Sequence, residues 1–372
     1  MNRKSISIKI EGDFIDSFIY SGILFLVSAN LQISIYSWEG LLNETLHNQR
    51  NTLHNFLKDC RKGLDFIEDD YQKIYIEVQQ LELQKLGETL PMKVWSTDIN
   101  VYSNRLYIAD ENGVDVIKLD FESKRLDQET RFRLWDKYAY KISPNDNLRI
   151  AIAAGANGII TAFPRDRDIR ESEDIKIIEI NSYDCEWIGN NLIANSKDGA
   201  FISVFEELPP KPKGINVPNN FYSRLNKLKR QSPNTIKIEN TQASIVYSWM
   251  AGRKLFSILS NGEVTVRDIN LLQDAVDSNT SLLEVQNFSH VLSARYGMFG
   301  AVIEIGNNLL SLTNSGVDLI SERPVSWRVF PRAKNYLNHL HIVENEYLNI
   351  LAYFVRNEND SDDYGISFDD VI

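Results

Sequence analysis

Five histidines occur in this chain of 372 residues, and two of them, His339 and His341, stand two positions apart in an alternating apolar stretch. Side chains two apart on a strand share a face, so both imidazoles could meet one metal ion. Only Glu344 and Glu346 lie near enough in sequence to add a ligand. The pair is therefore read as a hydrogen-bonded strand face, and no metal is expected there. Asp360, Asp362, Asp363 and Gly365 repeat part of a calcium loop. Tyr364 occupies the next ligand position and no glutamate closes the loop, so calcium is not expected either.

No GxSxG elbow, GxxxxGK[ST] phosphate loop, HExxH helix or paired CxxC is present. Each of those patterns places a nucleophile, a phosphate cradle or metal ligands at a fixed spacing. Without them no catalytic residue and no cofactor is assigned.

The strongest chemical asymmetry is a basic run. Between Glu207 and Glu239 there is no acidic residue, and Lys211, Lys213, Arg224, Lys227, Lys229 and Arg230 make the run locally cationic. Pro209, Pro210, Pro212 and Pro218 crowd its first half, which predicts a surface loop that interrupts a sheet. Phe221, Leu225 and Leu228 recur at helical spacing beside the cations, predicting a short amphipathic basic helix. The six cations are the candidate partner-binding residues. An acidic protein surface is the first candidate partner and a nucleic-acid backbone the second.

The remainder of the chain carries the opposite charge. Forty Lys and Arg against 51 Asp and Glu give a net charge of −11, which disfavours phosphate backbones and anionic membranes as general partners. The longest mostly apolar stretch, residues 18–29, is too short to span a bilayer, and residues 1–10 lack the apolar core of a secretory signal. Cys60 and Cys185 lie far apart in elements of different kinds, which argues against a disulfide framework. A cytoplasmic protein, or a nuclear one, is expected.

These residues must be positioned by some scaffold, and a repeat identifies it. LFLVSANLQISIY at 24–36, LYIADENGVDVIKL at 106–119 and LRIAIAAGANGIITAF at 148–163 each read as strand, tight turn, strand. The pattern returns at Leu192, Leu255, Leu309 and, most distorted, Leu348. Asn112-Gly113, Asn157-Gly158, Asp198-Gly199 and Asn261-Gly262 supply the positive-φ residues that two-residue hairpin turns need. Runs such as 96–102, 243–249, 299–305 and 338–343 predict a third strand ahead of the hairpins. Residues 73–78, 174–180 and 326–330 are assigned as fourth strands.

Successive starts are separated by 82, 42, 44, 63, 54 and 39 residues. Several of these match the roughly 40–45 residues of a four-stranded propeller blade, and insertions account for the excess in the others. The expected fold is all-β: one seven-bladed β-propeller domain over residues 1–372, with a helical insertion at about 40–70 and a basic Pro/Lys-rich loop at about 207–234. The opening strand, residues 5–10, has no partner in the first unit. It is expected to pair with the last unit, removing an exposed edge.

In this arrangement the chain resembles a WD-repeat-like β-propeller. Arg267-Asp268 after VTV is a loose version of the family's Trp-Asp, whereas Trp135-Asp136 falls before a unit and no Gly-His pair introduces one. The buried Asp-His-Ser/Thr-Trp network of that family is not carried over, and apolar packing is expected to hold the blades. The resemblance implies a noncatalytic interaction scaffold or adaptor subunit of a larger complex. Two other classes compete with it. One is a ligand-sensing or hydrolytic propeller with a central-channel site, and the other is a nucleic-acid module acting through residues 211–230.

Within the first insertion, Leu42, Leu46, Leu53, Leu57, Cys60 and Leu64 fall on one helical stripe. One helix ending near Gly63 is expected, packed against the propeller rim or meeting a partner helix.

Overall fold

The computed structural model describes residues 5–46, 51–61, 73–164, 168–210, 220–269, 280–284, 290–313 and 316–354. Alternating apolar residues fold these segments into seven sheets, six of four strands and one of five. The result is a seven-bladed β-propeller. The chain divides into two compact units. One comprises Met1–Trp95, Leu119–Leu126 and Trp249–Ile372, and the other Ser96–Lys118 and Asp127–Ser248.

The second unit holds most of the second sheet and all of the third and fourth. The third sheet shows the rule: Lys141–Pro144, Ile150–Ala153, Ile159–Ala162 and Lys176–Ile178 pair in sequence order. Its central strands are buried on both faces, which is why they read as unbroken apolar runs. Gly158 shapes the hairpin between them. Its φ is +83°, and a Cβ there would lie 2.5 Å from the Ile178 carbonyl oxygen. Gly113, Gly199 and Gly262 also take positive φ, as the Asn-Gly and Asp-Gly pairs require.

In the first unit the seventh sheet joins the two ends of the described chain. Its order is Ser326–Val329, His339–Val343, Tyr347–Tyr353, Ser5–Glu11, Lys73–Ile76. Ser5–Glu11 runs antiparallel to Tyr347–Tyr353 over seven pairs, from Ser5 opposite Tyr353 to Glu11 opposite Tyr347, as expected. Ile6, Ile8 and Ile10 are fully buried there.

Some strand assignments change. Lys73–Ile76 is the parallel fifth strand of this sheet, and Ser326–Val329 is its first strand, where a fourth was expected for each. The second strands of the seven sheets begin at Ile23, Arg105, Ile150, Asn191, Lys254, Gly300 and His339. The sequence units starting at Leu309 and Leu348 are therefore displaced by one strand toward the outer edge. Every strand of the sixth sheet is bounded by turn residues, so one hairpin there looks like another. Beyond residue 354 the last unit, with Asp360, Asp362, Asp363 and Gly365, lies outside the described residues. The two sides of Tyr347–Tyr353 are taken by His339–Val343 and Ser5–Glu11.

The helical insertion forms two short helices, α1 at Trp38–Thr45 and α2 at Asn51–Lys58, where one was expected. Trp38 Nε1 donates to the Leu57 carbonyl at 2.9 Å and Lys58 pairs with Glu39, so the end of α2 returns to the start of α1. Leu42, Leu46, Leu53, Leu57 and Cys60 are all buried, and the four leucines join the core built on Ile6, Ile8 and Ile10. Leu64 lies outside the described residues. A third helix, α3, covers Val78–Leu83.

Apolar packing is supplemented by polar ties that the sequence reading did not anticipate. Asp98 of the second sheet accepts from the Ile142 amide at 3.0 Å and from Lys141 at 3.3 Å, both in the third sheet. In the first unit, Asp16 of the first sheet receives Arg328 of the seventh, with Nε to Oδ1 at 2.7 Å. Asp184 of the fourth sheet accepts from the Tyr247 hydroxyl. A bulge precedes Asp16 and Asp184 in their strands.

Candidate functional site

The basic run contains a helix, α4, at Phe221–Arg230, as its apolar spacing predicts. Lys211 and Lys213 lie outside the described residues; Arg224, Lys227, Lys229 and Arg230 all stand on α4. Its last turn carries Lys227, Lys229 and Arg230 and no acid occupies its first turn. Cations at a helix C-terminus suit the partial negative charge there.

A buried arginine holds the helix. The Asn145 side chain accepts from the amides of Asn147 and Arg149 at 3.0 and 2.8 Å, and Leu148 turns the chain with φ +67°. This tight turn aims Arg149 inward, where it is 4% exposed. Its guanidinium lies 4.4 Å from the Phe163 ring centre and 5.0 Å from that of Phe205. Nη1 reaches Thr161 Oγ1 at 3.4 Å, and Nη2 donates to the Lys229 carbonyl at 2.7 Å. Burial pulls the Arg149 pKa down to about 10, with the Asp174 charge opposing that shift, so the group stays cationic at neutral pH.

The four described cations fall into two kinds. Lys229 is half-buried with Nζ 4.4 Å over Phe163, and Arg230 pairs with Glu173. Gln231 adds a 3.3 Å contact to Glu206 just past the helix. Arg224 and Lys227 are exposed, and among the described residues neither has an ion-pair partner. Tyr222 is 61% exposed, its ring edge-on to Phe221 at 5.4 Å. Phe221, Leu225 and Leu228 are half-buried. The arrangement can present a pair of cations, Arg224 and Lys227 one turn apart, to an anionic partner.

His339 and His341 are both buried, with ring centres 6.0 Å apart. Ser17 Oγ lies 2.8 Å from His341 Nδ1, and the Trp38 and Tyr336 rings flank His339. Burial drives the His339 pKa down to about 3, and burial with His339 and Arg328 nearby puts His341 well below its ordinary value. Both rings are neutral at physiological pH. Among the described residues no group of three or more His, Cys, Asp or Glu is placed to hold a metal ion. Cys60 and Cys185 are buried and form no disulfide. A depression of about 460 Å³ near His290, Glu322 and Arg323 lies in the first unit. No helix among the described residues is long and apolar enough to cross a membrane.

Comparison with known proteins supports the fold. The N-terminal part of BBS1, solved in complex with ARL6DN, superposes over 95% of this chain and 98% of its own length, with TM-score 0.51 and 10% identity. A chain of the mitotic checkpoint complex aligns over 93% of this chain and 88% of its own, with TM-score 0.48 and 10% identity. The β-propeller domain of Cps50 (Swd1) from Myceliophteria thermophila aligns over 69% and 96%, with TM-score 0.38 and 13% identity. At such identities the likeness speaks for the fold alone. No family model matches the chain, and no curated protein matches it in sequence.

Arg149 is the residue that sequence reasoning missed. It lies 80 positions from Lys229, and nothing in PNDNLR marks it as the support of a distant helix.

Proposed function

We propose that the chain is a noncatalytic interaction scaffold, an adaptor subunit of a protein complex, and that the basic segment carrying Lys211, Lys213, Arg224, Lys227, Lys229 and Arg230 takes part in docking. The observation that carries this reading is the buried Arg149 anchoring a helix that leaves Arg224 and Lys227, one turn apart, in solvent. A rigid sheet framework holds such an element in one orientation, which lowers the entropy lost on binding. The N-terminal part of BBS1, which superposes on this chain, was itself solved in complex with ARL6DN.

The test is purification of the intact tagged chain from its native cells under mild salt, with nuclease treatment. The reading expects a protein that co-purifies in fixed stoichiometry and survives nuclease. A chain that elutes alone, or one whose only companion is nucleic acid, contradicts it.

A further inference from the structure

Resting on the scaffold reading, we infer that α4 divides its cations between two tasks: Lys229 and Arg230 fasten the helix, while Arg224 and Lys227, one turn apart on one side of it, form the contact site for one acidic segment of a partner protein.

Existing contacts make the division. Lys229 lies against Phe163 with its carbonyl held by Arg149, and Arg230 is paired with Glu173. A partner recruiting either cation would have to break a contact that already exists. Tyr222, Arg224 and Lys227 are exposed, and α4 contributes no acid of its own. Binding there desolvates groups that have no ion-pair partner among the described residues, which favours affinity. Arg224 offers a planar fork for a carboxylate, and Lys227, three positions on along the helix, adds a second positive charge beside it.

Size and charge select the class of partner. Ten residues of helix span about 15 Å, enough for a short stretch of one chain. Duplex nucleic acid and anionic membranes extend much further than that and would meet a chain of net charge −11. A single acidic segment engages the cations and leaves the remaining acidic surface unopposed.

The experiment uses the intact chain and fluorescence anisotropy. The probe is a labelled peptide of roughly twelve residues, rich in glutamate with two phenylalanines, compared with its glutamine counterpart, with single-stranded DNA and with vesicles containing phosphatidylserine. The expected result is selective binding of the glutamate peptide, weakened about tenfold or more by Arg224→Glu with Lys227→Glu, and falling with salt. Because these side chains are exposed, unchanged thermal midpoints will show that the variants fold. Equal peptide affinity for the wild type and the charge-reversed variant overturns the inference, as does tighter binding of DNA or vesicles. If the native partner co-purifies equally well with the charge-reversed chain, this inference fails and the scaffold reading stands. If no partner co-purifies with the wild type, the scaffold reading itself fails.

Discussion

Arg149 Nη2 donates to the main-chain oxygen of Lys229 at 2.7 Å, joining a tight turn of the third sheet to the last turn of α4. A charged donor buried between Phe163 and Phe205 thus gives a hydrogen bond to the element that displays the exposed Arg224 and Lys227. Position, more than charge count, sets what α4 can do.

Arg149→Leu removes that donor while keeping some apolar bulk. The loss of a charge-assisted hydrogen bond is expected to cost about 1–3 kcal/mol, concentrated in α4. Hydrogen exchange of the amides in Phe221–Arg230 should accelerate about tenfold or more, with the strands of the third sheet little changed. Unaltered protection in α4 would mean that other contacts hold it.

Gly158 and Gly189 both have positive φ but differ in surroundings. A Cβ at Gly158 meets the Ile178 carbonyl at 2.5 Å, whereas nothing lies within 4 Å of one at Gly189. Gly189→Ala should cost about 1 kcal/mol in backbone strain and Gly158→Ala about 1–3 kcal/mol more. Thermal midpoints of the two variants give the comparison, and equal losses would contradict the close approach.

Asp16 and Arg328 form a largely buried pair, with side chains 11% and 12% exposed. Arg328→Met strands the carboxylate and is expected to cost about 3–5 kcal/mol, while adding Asp16→Leu should recover most of it. Denaturant midpoints of the two single variants and the double variant measure this coupling.

The buried histidines set an acid dependence. Their folded pKa values lie below the ordinary 6.5, that of His339 at about 3, so the unfolded chain binds more protons between those limits. Their contribution is complete above the unfolded value and is lost as pH falls from there toward the folded one. Each ring should contribute a slope of about 1.4 kcal/mol per pH unit in that window. Urea midpoints from about pH 7.5 to about pH 5 should fall for the wild type and fall less for His339→Phe. Parallel curves would show that His339 is not buried neutral.

Much of this was legible in residue order. Asn157-Gly158 and its counterparts mark hairpins because few residues tolerate positive φ, and Phe221, Leu225 and Leu228 mark α4 because helical periodicity is local. The unpartnered alternation of Ile6, Ile8 and Ile10 pointed to the closing pairing. What stayed hidden depends on distant partners. Ile74 and Ile76 alternate in the same way whether their strand is fourth or fifth in a sheet. The fold-back of α2 onto Trp38 depends on a side-chain bond to Leu57, which no periodicity reports. Asp16 and Arg328 lie 312 positions apart, and Arg149 looks like any surface arginine until Lys229 is placed over it.

The most direct test of the account is hydrogen exchange on the chain within its native complex, compared with the isolated chain. Added protection over Phe221–Arg230, with the seventh-sheet pairing of Ser5–Glu11 equally protected in both states, is the predicted result. Added protection confined to other surfaces while α4 exchanges as before would contradict it.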